Sequence, residues 1–181
     1  MDKLLSVEIF KGDIFNDCHT KFVTDLPEKY AALPALPALM VFTKSNIDFQ
    51  DLKSEDKDIS LDVATCIQLV KSTVKDDYNT YGIIFIVEAW MLRDDPNNLD
   101  SVKADIAKID SGEMKLSDSE HKMESALVFC ETRDGFKQLD LFEIDRSGDS
   151  PTLINHSIYE NPADIVGKDV NFFTDETEEE L

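Results

Sequence analysis

Five large apolar residues stand in succession at Ile83-Ile84-Phe85-Ile86-Val87, between Tyr81-Gly82 and Glu88-Ala89-Trp90-Met91-Leu92. A strand sends alternate side chains to opposite faces, so a run with no polar member needs apolar cover on both sides. It is far too short to cross a bilayer. A chain of 181 residues that is 42% hydrophobic can supply that cover from one core. From Val87 onward the pattern alternates, which puts Glu88 and Trp90 on the face of Ile86. A carboxylate there is costly unless paired, so an ion pair or hydrogen bond is its expected role, with Arg93, Arg133 or Arg146 as the cation.

The rest of the chain is read around that strand. Val63, Ile67, Val70 and Val74 recur at helical spacing, with Ser60 as N-cap, Asp62 in the first turn and Lys71 and Lys75 near the end. These predict an amphipathic helix over 61–76. Residues 124–146 alternate on both sides of Asp134-Gly135, which reads as a hairpin closed by a two-residue type I′ turn. That turn sets Arg133 opposite Phe136, Cys130 opposite Leu139, Val128 opposite Leu141 and Leu127 opposite Phe142. Leu153, Ile154, Ile158 and Tyr159 predict one more strand, with a bulge at Asn155-His156-Ser157. Leu39-Met40-Val41-Phe42 suits a strand, after a Leu-Pro repeat that excludes regular helix. Residues 44–58 read as a polar surface connection, and residues 2–24 satisfy neither the helical nor the strand period. The fold class expected is α+β. An antiparallel sheet of about four strands (82–92, 124–133, 136–146, 152–159) packs on the helix 61–76. Residues 1–160 form one domain with a charged insertion at 93–122, in which Val102, Ile106 and Ile109 stripe a short helix. Residues 161–181 are an extension in which Phe172-Phe173 docks and the end is an acidic tail.

Charge is the strongest compositional signal. Lys and Arg number 18 against 38 Asp and Glu, a net charge of −20. The excess is −6 over residues 1–90 and −14 over residues 91–181. Such a field repels phosphate, which argues against direct contact with nucleic acid or an anionic membrane and favours a basic protein surface. The opening Met1-Asp2-Lys3 does not read as a signal peptide, and Cys18, Cys66 and Cys130 are odd in number and widely spaced. Reduced thiols in a cytoplasmic protein are the expectation.

Signatures of chemistry are few. There is no glycine-rich phosphate loop, no paired metal-binding cysteines, no histidine pair at helical spacing and no nucleophile elbow, so no cofactor, metal or catalytic residue is expected. Cys18 and His19 are adjacent, so their side chains diverge and a structural or exposed role is expected. Cys130 with His121 or His156 is a nucleophilic pair on paper, but a cysteine on a central strand is a buried, inert one. Glu143 and Asp145, with Glu88 or Asp140, offer carboxylates to a divalent cation.

Glu88-Ala89-Trp90-Met91, then His121 with Glu124, then Ile144-Asp145-Arg146 closing the hairpin, resemble an uncharacterised family of small phage and bacterial proteins. That resemblance covers about residues 60–150 and implies a phage-linked origin without an activity. The function expected is a non-enzymatic acidic interaction protein, a phage-encoded inhibitor that presents carboxylates to a basic, nucleic-acid-binding surface. Asp94, Asp95, Asp118, Glu120, Glu176, Glu178, Glu179 and Glu180 are the expected contact residues. The alternatives are a self-associating component of a virus particle and a carboxylate-metal enzyme centred on Glu88 and Glu143.

Overall fold

The computed structural model describes residues 2–33, 36–43, 46–52, 62–93, 97–161 and 170–173. Six strands, β1 (Ala38–Thr43), β2 (Ile47–Asp51), β3 (Thr80–Leu92), β4 (Lys122–Thr132), β5 (Lys137–Asp145) and β6 (Thr152–Tyr159), form one antiparallel sheet. Their order is β2-β1-β3-β4-β5-β6. Helix α1 (Asp2–Lys29) lies on one face and α2 (Val63–Val74) on the other, while α3 (Leu99–Asp110) interrupts the passage from β3 to β4. Ile84 and Ile86 join the core under α1, and Ile83, Phe85 and Val87 join the core under α2. The apolar run is therefore covered on both sides, as its composition requires. No helix among the described residues is long and apolar enough to cross a membrane.

The sheet has six strands rather than about four. The two additional strands fold from 38–51 as a hairpin, closed where the Thr43 N–H donates to the Asn46 carbonyl at 2.9 Å. Residues 47–51 belong to this hairpin and not to a surface connection. They are polar at alternate positions because β2 is an edge strand, and its Ile47 and Phe49 remain about half exposed.

Residues 2–24 are helical, and the reason is visible once α1 is in place. Phe15, His19, Val23, Leu26 and Tyr30 make one buried stripe at helical spacing, leading from α1 into a 3-10 turn, Tyr30–Ala32. The helical period is interrupted in the sequence because a histidine occupies one of its core positions. Helix α2 is shorter than 61–76. Its N-cap is Asp62, whose carboxylate accepts the Thr65 N–H at 2.7 Å; the expected cap, Ser60, lies outside the described residues. Burial of Cys66, Val70 and Val74 gives α2 its inner face.

Arg133 closes the other end of α2. Its guanidinium donates to the carbonyls of Val74, Lys75, Asp77 and Thr80 at 2.8–3.2 Å and lies over the rings of Tyr78 and Phe173. A cation at a helix C-terminus satisfies carbonyls that have no intrahelical donor. Phe172 packs with Phe85 and Phe129, and its N–H donates to the buried Glu131 carboxylate, so this segment docks as its aromatic pair predicts.

The β4–β5 hairpin exists, but its register differs by one residue. Thr132 pairs with Phe136 across a three-residue loop, Arg133-Asp134-Gly135, with Gly135 at φ +98°. A type I′ turn needs positive φ at Asp134 as well, and Asn155 is the only non-glycine with positive φ among the described residues. Leu127 therefore faces Leu141, and Val128 faces Asp140. A slip of one residue turns every β5 side chain to the opposite face. The observed register sends Asp140 toward α1. On β6 the expected bulge falls opposite Phe142, with Asn155 at φ +52°.

Gly82 lies against the ring of Phe15 from α1. A Cβ there would stand 2.9 Å from the Phe15 ring and 3.0 Å from the Thr132 methyl group. Phe15 cannot swing aside, because Phe42, Tyr81 and Phe136 meet it edge-on. Gly82→Ala is expected to destabilise the protein by about 1–3 kcal/mol through overpacking, measured by denaturant unfolding. Shortening the ring in the double variant with Phe15→Leu should recover part of that loss.

Candidate functional site

The residues expected to contact a partner fall in two groups. Asp118 ends a 3-10 turn, Leu116–Asp118, and Glu120 lies just before β4; both are exposed. Asp94, Asp95, Glu176, Glu178, Glu179 and Glu180 lie outside the described residues. The insertion carrying Asp118 and Glu120 is tied to its own base. Ser119 donates to Asp105 at 2.6 Å, His121 bonds Ser101 at 2.8 Å, and the Arg93 N–H donates to the His121 carbonyl at 2.8 Å.

At the far end of β3, Glu88, Glu124 and Arg146 converge. Arg146 grips Glu124 through Nε and Nη2 at 2.8 and 2.6 Å, and the same Nη2 reaches Glu88 at 3.3 Å. The Tyr30 hydroxyl donates to the other Glu88 oxygen. Burial, and then the Glu88 carboxylate, push the Tyr30 phenol well above its ordinary range. Lys122 lies over the half-exposed Trp90 ring. Glu88 is thus held in an ion pair and a hydrogen bond, with Arg146 as its cation. Glu143 is engaged by Arg93 and, at 2.8 Å, by Asn155. Glu88 sits opposite Ala126 under α1, whereas Glu143 sits opposite Ser125 on the other face, so the two carboxylates share no metal site.

The constellation that sequence reasoning missed lies under the middle of α1. Asp140, with no exposed surface, accepts from His19 Nε2 at 2.9 Å and Gln138 Nε2 at 3.0 Å through Oδ2, and from His156 Nε2 at 2.8 Å through Oδ1. The carboxylate thereby joins α1, β5 and β6. Burial favours the neutral acid, yet the hydrogen bonds from His19, His156 and Gln138 together outweigh it and hold Asp140 below its ordinary carboxyl range. The His156 ring stacks on Phe142 with centroids 4.3 Å apart, a position that the bulge at Asn155 allows. A cleft of about 390 Å³ between α1 and the β5–β6 side of the sheet opens onto His19, Asp140 and His156.

Cys130 neighbours this group. One ligating atom from each of His19, Cys130 and Asp140 lies within 4.8 Å of the others. The histidine beside Cys130 is therefore His19, while His121 is engaged with Ser101 and His156 with the far oxygen of Asp140. Burial, reinforced by the Asp140 charge, pushes the Cys130 thiol well above its usual value. Such a thiol is a poor free nucleophile. A polar residue at an inward strand position and a histidine on an apolar helical stripe were the two signals in the sequence; each reads as an irregularity alone, and together they specify a buried polar joint.

Asp140→Ala removes the acceptor from three donors and is expected to cost about 3–5 kcal/mol of stability, measured by denaturant unfolding near neutral pH. The pH dependence has a definite sign. Because the folded-state value lies below the unfolded one, the Asp140 contribution is present above about pH 4 and is lost as acid takes the pH through the folded value. The acid limb of the stability profile should be shallower in Asp140→Asn than in the parent chain. No protein-family model, curated protein or solved structure matches this chain.

Proposed function

We propose that the protein is a non-enzymatic acidic binding protein that covers a basic surface of another protein, one that ordinarily holds nucleic acid. The partition of charge supports this reading. All three arginines are committed within the fold: Arg93 to Glu143, Arg133 to backbone carbonyls and Arg146 to Glu124 and Glu88. Among the described lysines, Lys29 pairs with Asp25 and Lys108 with Asp105. Asp100, Asp110, Glu113 and Glu120 are exposed and have no cation within ion-pair distance among the described residues, and Asp118 is exposed beside them in the insertion. The arginines and these two lysines are thus engaged by groups of the fold, while acidic side chains of the insertion face solvent in a chain of net charge −20. Repulsion from phosphate and attraction to clustered lysine and arginine follow. The resemblance over residues 60–150 to phage and bacterial proteins fits an inhibitor of a host nucleic-acid-binding protein.

A second reading, an assembly component, is favoured by the sheet edges. Ile47 and Phe49 on β2 and Ile154 and Ile158 on β6 are 40–58% exposed, and among the described residues both are edge strands. It requires concentration-dependent self-association, and sedimentation showing a monomer at all concentrations would dismiss it.

Capture of partners from a bacterial lysate at low salt, followed by titration of a captured protein, tests the first reading. The captured proteins should be basic, and affinity should fall at least about tenfold between roughly 0.05 and 0.5 M salt. Asp118→Asn with Glu120→Gln should slow association more than it speeds release. Affinity independent of salt would remove the electrostatic reading.

A further inference from the structure

We infer that His19, Cys130 and Asp140 form a binding site for a divalent transition ion of the zinc class, which would join α1 to the centre of the sheet. The three side chains come from α1, β4 and β5, all three are buried, and one ligating atom from each lies within 4.8 Å of the other two. In a tetrahedral zinc centre with nitrogen, sulfur and oxygen ligands, the ligating atoms stand about 3.3–3.6 Å apart. His19 Nε2 and Asp140 Oδ2, now 2.9 Å apart, need only separate by a few tenths of an ångström, and Cys130 needs to close by about one.

The donor types set the class of ion. One imidazole, one thiolate and one carboxylate suit a borderline-soft ion and are a poor set for calcium or magnesium, which take oxygen ligands. Thiolate and carboxylate together balance a charge of +2, so occupancy leaves the buried site neutral, whereas the thiolate alone beside Asp140 would add a second buried negative charge. Binding at neutral pH releases the thiol proton to solvent as the metal–sulfur bond forms, and the neutral His19 ring carries its proton on Nδ1 in place of Nε2, so the ion replaces the His19–Asp140 hydrogen bond with no change in oxidation state. No hydrogen bond engages the Cys130 side chain among the described residues, so metal binding takes no partner from it.

Surroundings complete the site. His156 donates to Asp140 Oδ1, the oxygen that His19 does not use, and so orients the carboxylate in the way that outer hydrogen bonds orient metal ligands. The cleft is lined by His19 and Asp140 and not by Cys130, so an ion would enter from the side of those two ligands. A net charge of −20 raises the local concentration of cations. This inference is independent of the charge-based binding function, and its test does not involve a partner.

The full chain, kept reduced, is titrated with Co²⁺ and then with Zn²⁺. One equivalent of Co²⁺ should give a thiolate-to-cobalt charge-transfer band and the intense visible bands of tetrahedral cobalt, and Zn²⁺ should erase both. The unfolding temperature should rise with either ion. Cys130→Ser should abolish the charge-transfer band and weaken Zn²⁺ binding more than about a hundredfold, whereas Cys66→Ala, on the opposite face, should keep the band. His156→Ala should keep the band and weaken binding about 10–100-fold. Should Cys130→Ser not fold, His19→Gln serves in its place and should lose the tetrahedral spectrum. Folded parent protein that takes up neither ion, or a band that survives Cys130→Ser, overturns the assignment.

Discussion

The carboxylate of Asp140 is the constraint on which the arrangement under α1 depends. A fully buried charge is tolerated only where hydrogen bonds replace its water, and here two imidazoles and one amide do so. Each donor comes from a place that the requirement then fixes: His19 sets the rotation and height of α1, Gln138 lies two residues back on β5, and His156 requires the bulge on β6. The same requirement bears on hairpin register. With β5 slipped by one residue, Asp140 would point at the apolar core under α2, where Phe85, Leu127 and Phe129 have nothing to donate. A three-residue loop with Gly135 in the left-handed region delivers the register that avoids this.

The opposite face is secured by a cation in place of an anion. Arg133 leaves β4 at the same hairpin and spends its donors on the C-terminal carbonyls of α2, while Tyr78 and Phe173 cover its guanidinium. Beside it, Glu131 receives the Phe172 N–H. The β4–β5 hairpin therefore anchors three separate segments: α1 through Asp140, α2 through Arg133 and residues 170–173 through Glu131. Apolar burial supplies most of the stabilisation on both faces, but these polar contacts decide which helix sits where. The ion pairs at the far end of β3 are more exposed and contribute less.

What the sequence disclosed, and what it withheld, follows from whether a signal is local. The run Ile83–Val87 announced a strand covered on both sides, α2 announced itself through Val63, Val70 and Val74, and the bulge at Asn155 was marked by polar residues within a strand. These are readable because neighbours in the chain determine them. The edge strand β2 was hidden because half of its residues face water. Helix α1 was hidden because His19 breaks its apolar stripe, and the site was hidden for the same reason. His19 and Asp140 are separated by 121 residues, and nothing near either one indicates the other. The hairpin turn was visible at Asp134-Gly135, yet its length was not, since one added residue depends on where Asp140 must point.

If Asp140 seats α1 on the sheet, the helix should be the first element released when that contact is lost. Amide hydrogen exchange in Asp140→Asn, resolved by residue, measures this directly. The amides of α1 between Phe15 and Leu26 should lose protection selectively, while those of β3 and β4 keep theirs. Protection of α1 that falls only in step with β3 and β4 would show that apolar packing alone holds the helix, and would contradict the role assigned to Asp140.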